Sequence, residues 1–107
     1  MSKDHYVYLV EFPSGIHKIG MTQNPKKRLD TMMSNCGSLV VLATWKFKTK
    51  NEARFVEKFL HCRMYKFHKH RREFFKIPKR VLAPLSMADS DKVYKYAEKE
   101  RCLCKWY

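Results

Sequence analysis

Residues 6–28 read YVYLVEFPSGIHKIGMTQNPKKR, and this stretch decides the fold. Tyr6, Tyr8, Val10 and Phe12 alternate with Val7, Leu9 and Glu11, the period of two expected of a strand that is apolar on both faces. Pro13-Ser14-Gly15 is a turn signal, and Ile16 to Met21 is the returning strand of a hairpin. Asn24 can cap a helix that has Pro25 at its first position, where a missing N–H costs nothing. Leu29, Met32, Met33 and Cys36 form that helix's apolar stripe, and Gly37 is a natural stop. The order strand, turn, strand, capped helix brings a phenol (Tyr8), an ammonium (Lys18) and a guanidinium (Arg28) into one small unit.

The pattern continues outward. Leu39, Val41, Ala43, Trp45 and Phe47 form one face of a third strand. Residues 51–67 form a second helix with Phe55, Val56, Phe59, Leu60 and Met64 as its stripe. After a histidine-rich loop, 72–77 suggests a short strand, Pro78 opens a brief helix through Leu82, and a last helix spans 90–102. Residues 83–90 are the expected hinge. The fold class is α+β: a small three-stranded sheet with flanking helices in the order β-β-α-β-α, plus a C-terminal helical extension. Residues 1–82 form the main unit, and 83–107 pack on the same domain.

Composition narrows the partners. The 107 residues are 45% hydrophobic and 14% aromatic, enough for one modest core. No apolar run approaches the roughly 18 residues that span a bilayer. The first residues lack the apolar core of a secretory signal, so the expected location is cytoplasmic. Four cysteines without a Cys-x-x-Cys pair argue for reduced, structural thiols and against zinc. Twenty-three Lys and Arg against ten Asp and Glu leave a formal charge of +13, which favours an anionic partner, nucleic acid first. A generic acidic surface is the bland alternative. The excess concentrates between Arg63 and Arg80, where Arg63, Lys66, Lys69, Arg71 and Arg72 interleave with Tyr65, Phe67, Phe74 and Phe75, as on a phosphate-facing surface. Lys26 and Lys27 extend the basic set at the start of the first helix.

Five side chains have chemical potential, most with a plainer reading beside them. Tyr8 and Lys18 lie on facing strands of the hairpin, close enough to its turn to pair; an ammonium beside a phenol would stabilise the phenolate, which could take a proton from an attacking water. The plainer reading is a core tyrosine opposite a solvated lysine. Arg28 borders the first helix's stripe, where it can fork two phosphate oxygens or simply snorkel. Glu57 interrupts the apolar stripe of the second helix, which suits a divalent cation completed by substrate phosphate oxygens; an ion pair with Arg28 or Arg63 is the alternative. His61, four residues on, shares that helical face and is a candidate base or second ligand.

In order and spacing these residues resemble the GIY-YIG endonuclease superfamily, in its divergent phage-type branch. Val7-Tyr8 is similar to the end of the first motif, and Lys18-Ile19-Gly20 to the second with lysine in place of tyrosine. The step from Gly20 to Arg28 matches the family's arginine, Glu57 its metal-binding glutamate, and Glu73-Phe74-Phe75 the Glu-Trp-Phe motif of the branch. The resemblance covers about residues 5–78. It implies a phosphodiesterase using one Mg²⁺ or Mn²⁺ and no organic cofactor. Tyr8 would activate water, Lys18 and His61 assist, Arg28 hold the scissile phosphate and Glu57 bind the metal, with Gly20 and Glu73 in supporting positions. DNA is expected before RNA, no membrane is involved, and oligomeric state is left open. A non-catalytic nucleic-acid-binding module on the same scaffold is the alternative, and a basic protein that targets an acidic one is a third.

Overall fold

The computed structural model describes residues 4–36, 38–67 and 74–100. The elements are β1 (His5–Glu11), β2 (His17–Thr22), α1 (Pro25–Cys36), β3 (Val40–Phe47), α2 (Lys50–Arg63), a 3₁₀ turn (Tyr65–Phe67), β4 (Phe74–Phe75), α3 (Lys79–Met87) and α4 (Ser90–Glu100). They form an α+β fold on an antiparallel sheet ordered β3-β1-β2-β4. The short strand suggested within 72–77 joins the three-stranded sheet as β4: two residues that pair Phe75 with His17 and Phe74 with Lys18.

The hairpin closes as its turn residues require. Gly15 N–H donates to the Phe12 carbonyl (2.9 Å), and Phe12 N–H to the Ile16 carbonyl (2.8 Å). Gly15 has φ +84°, a conformation open to glycine without strain. This sets the register that pairs Tyr8 with Gly20, Leu9 with Ile19, Val10 with Lys18 and Glu11 with His17. The Asn24 side chain accepts the Lys27 N–H (3.1 Å), capping α1. At α2, Thr49 and Glu52 form a reciprocal capping box.

The two faces of the sheet are unequal. On one face, Val7, Leu9, Ile19, Trp45 and Phe47 pack with Ala53, Val56, Phe59 and Leu60 of α2 and with Leu82, Leu85, Val93 and Ala97 of α3 and α4. On the other, Tyr8 and Val10 meet only Met32 and Leu39 among buried residues, with Leu29 and Phe12 at the margin.

Three expectations are corrected. β3 does not keep one face: an irregularity between Leu9 and Val10 pairs them with Ala43 and Val41, so one extra residue inverts the alternation. Trp45 and Phe47 enter the larger core, Leu39 the smaller one, and Val41 is left 42% exposed. Residues 83–90 are not a free hinge, because α3 continues through Pro84 to Met87. The link to α4 is tied to β3 by Trp45 Nε1–H to the Ala88 carbonyl (2.9 Å) and Lys46 N–H to Ser90 Oγ (3.0 Å). Cys62, expected as a thiol, is disulfide-bonded. No helix among the described residues is long and apolar enough to cross a membrane.

Candidate functional site

The hairpin register puts Tyr8, Val10, Lys18 and Gly20 on the thinly covered face. Tyr8 stands opposite Gly20, and the missing side chain there makes room for the phenol. A Cβ on Gly20 would lie 3.0 Å from Tyr8 Cε2 and nearer still to the ring's hydroxyl end. Gly20 therefore works as a cradle, with its φ unexceptional and the close approach deciding its identity. Tyr8 is only 1% exposed. Lys18 stands opposite Val10, not opposite Tyr8 as the sequence suggested; it is 7% exposed, and its ammonium lies 5.5 Å from the centre of the Phe74 ring. Phe74 in turn meets Phe12 at 6.3 Å between ring centres.

Arg28 is exposed in the first turn of α1, beside half-buried Leu29, its N–H bonded to the Asn24 carbonyl (3.1 Å). Lys26 and Lys27 face outward and line a shallow depression with Asn24, Asp30, Thr31 and Ser34, apart from the Tyr8 face. Glu57 and His61 are half-buried on one flank of α2, beside the buried Val56 and Leu60. His61 Nε2 is 2.8 Å from the carbonyl oxygen of Ile19, the residue between Lys18 and Gly20. The flank carrying Glu57 is thereby brought to the strand that carries Lys18 and Gly20. Arg63 is turned toward α4, where its Nε–H donates to the Tyr96 hydroxyl at 3.0 Å. The Lys66 side chain, Lys69, Arg71, Arg72 and Glu73 lie outside the described residues.

Among the described residues, no group of three or more His, Cys, Asp and Glu side chains could hold a metal. The donor set at hand is one carboxylate, Glu57. A lone carboxylate would suit a hard divalent cation completed by water and substrate oxygens, not one caged by protein alone.

The comparisons bear on this hairpin and its helices. The T5orf172 domain model matches residues 5–98, nearly the whole chain. The chain belongs to the T5orf172 domain family. The T5orf172 family is nuclease-associated, and its match runs from the first residue of β1 into α4, taking in the Tyr8–Gly20 pair, Arg28, Glu57 and His61. No curated protein and no solved structure matches the chain.

Sequence reading did not single out His17. It is 2% exposed; its Nδ1 accepts the Ile77 N–H (3.1 Å), so Nε2 carries the proton and donates to a Glu11 carboxylate oxygen at 2.8 Å. This ties the segment after β4 to the hairpin. The signal was available, since a turn of this length sets Glu11 opposite His17.

Proposed function

We propose that this T5orf172 domain is a small metal-dependent endonuclease or nickase of GIY-YIG type, acting on DNA in the cytoplasm. The observation that carries the reading is the convergence of Tyr8, Gly20 and Lys18 on the thin face of the hairpin within a nuclease-associated domain. Residues 1–82 would hold the catalytic unit, with α3 and α4 packed behind it.

In this reading a water oxygen forms a new bond to phosphorus, and the bridging P–O bond on the far side breaks. In its phenolate form Tyr8 would take up the proton of the attacking water. Lys18 would set positive charge beside the reacting oxygens, and Arg28, in the first turn of α1, would fork the scissile phosphate. Glu57 would hold one Mg²⁺ or Mn²⁺, whose chemistry is charge stabilisation at the phosphate and the leaving oxygen. The exposed Lys26 and Lys27 and the basic segment that follows α2 would track the backbone.

The 1% exposure of Tyr8 favours a second reading, a scaffold that binds nucleic acid without cutting it. One experiment separates them. Supercoiled plasmid is incubated with wild type and with Glu57→Ala, in Mn²⁺ and in EDTA. The nuclease reading expects metal-dependent nicking that falls about 100-fold or more in Glu57→Ala, the scale of losing a group that acts in the transition state. Equal residual nicking by both proteins, with salt-sensitive binding retained, establishes the binding module instead.

A further inference from the structure

We infer that His61 is a positioning residue, holding the Lys18–Gly20 segment of β2 against the Glu57 flank of α2 through the Ile19 carbonyl. The inference concerns the role of this residue in the nuclease proposed above, and its catalytic consequence rests on that reading.

A carbonyl oxygen only accepts, so the 2.8 Å contact requires the proton on His61 Nε2. That nitrogen is engaged with the backbone; Nδ1 keeps the lone pair, so the variants below separate a tie from a base. The place of the bond in the sheet explains why it is there. β4 pairs with β2 only at His17 and Lys18 among the described residues. Ile19 is the next residue along, is fully buried, and belongs to the larger core by its side chain. A strand carbonyl left unpaired there would have to be satisfied by some other group. The imidazole N–H supplies the donor that a longer β4 would have provided. Its ring is held in place by Phe75, 5.5 Å away between ring centres and inclined at 53°. Phe75 is itself the β4 residue opposite His17.

The bond joins two parts of the site that no covalent neighbour connects. On one side, Ile19 is flanked by Lys18 and by Gly20, which receives Tyr8. On the other, His61 is one helical turn from Glu57, a spacing that puts the two side chains side by side. Loss of the tie lets β2 shift relative to α2, and with it the spacing of Tyr8 from Glu57.

The test uses two variants. Gln at this position offers an amide N–H at about the reach of Nε2 but cannot titrate near neutral pH; Ala offers nothing. His61→Gln should nick plasmid within about threefold of wild type with the pH profile unchanged, whereas His61→Ala should lose about 10-fold or more, as expected when reacting groups are displaced. Backbone amide spectra give a readout independent of cleavage: Lys18, Gly20 and the Tyr8 ring should shift in His61→Ala and stay in place in His61→Gln. The proposal is overturned if His61→Gln loses as much as Ala together with the acid limb of the rate profile, which marks a general base. It is equally overturned if His61→Ala leaves the Lys18–Gly20 resonances where they are. A wild type that cuts nothing removes the nuclease reading alone, and the spectra still judge the tie.

Discussion

The two faces of the sheet are built for different purposes. Among the described residues, sixteen buried side chains form the cluster on the α2 face and only four the cluster on the α1 face. Burial is the main source of stability, so the thick face holds the molecule together. The thin face carries Tyr8, Lys18 and Gly20, groups whose placement is unrelated to the size of a core. In the nuclease reading, this division anchors from behind the strands that carry Tyr8 and Lys18. His61 is the point where the thick side reaches round to the thin one.

The comparison can be broken by mutation. Phe59→Ala, in the middle of the α2 face, should cost about 3–5 kcal/mol in urea unfolding, while Met32→Ala on the α1 face should cost about 2 kcal/mol. Equal losses would mean that the faces do not divide the work. Gly20→Ala sharpens it further. A methyl group there collides with the Tyr8 ring, so the variant should lose about 1–3 kcal/mol of stability and a far larger share of its nicking rate. A Gly20→Ala protein that cuts like wild type would show that Tyr8 can move without consequence. The smallest effect is expected at the exposed edge. Lys46 pairs with Asp4 at 3.1 Å. Its pKa is raised, first by the hydrogen bond to Asp4 and then by that carboxylate's charge. A raised lysine contributes stability that is present below its ordinary pKa and is lost as pH climbs through the higher folded value. In this solvated pair the contribution is slight, so Lys46→Met should leave the melting temperature at neutral pH within error and only flatten its decline in strong alkali.

Much of the architecture was legible because it rests on local rules. Pro13 and Gly15 announced the hairpin, but its register, with Tyr8 opposite Gly20 and Val10 opposite Lys18, came only with the structure. Asn24 and Pro25 marked the start of α1, and the apolar spacing from Val56 to Leu60 marked the buried side of α2. The misreadings share a cause, which is that the deciding partner is distant in the chain. The inverted alternation of β3 depends on how it meets β1, more than thirty residues earlier. Residues 83–90 resemble a hinge until Trp45 and Lys46 tie the junction down. Met33 has the spacing of a stripe residue but is 41% exposed, because the thin face has nothing to set against it.

The same division runs through the site. The residue types were set by the sequence alone: a phenol and an ammonium on facing strands, an arginine on a capped helix start, and a carboxylate breaking an apolar stripe. Periodicity and turn chemistry act over a few residues and need no partner to be read. Tertiary structure decided which face these groups occupy, that Gly20 is empty so that Tyr8 can lie across it, and that His61 bonds the backbone of β2. Those are encounters between elements up to 42 residues apart, and only packing brings such elements within a hydrogen bond's length.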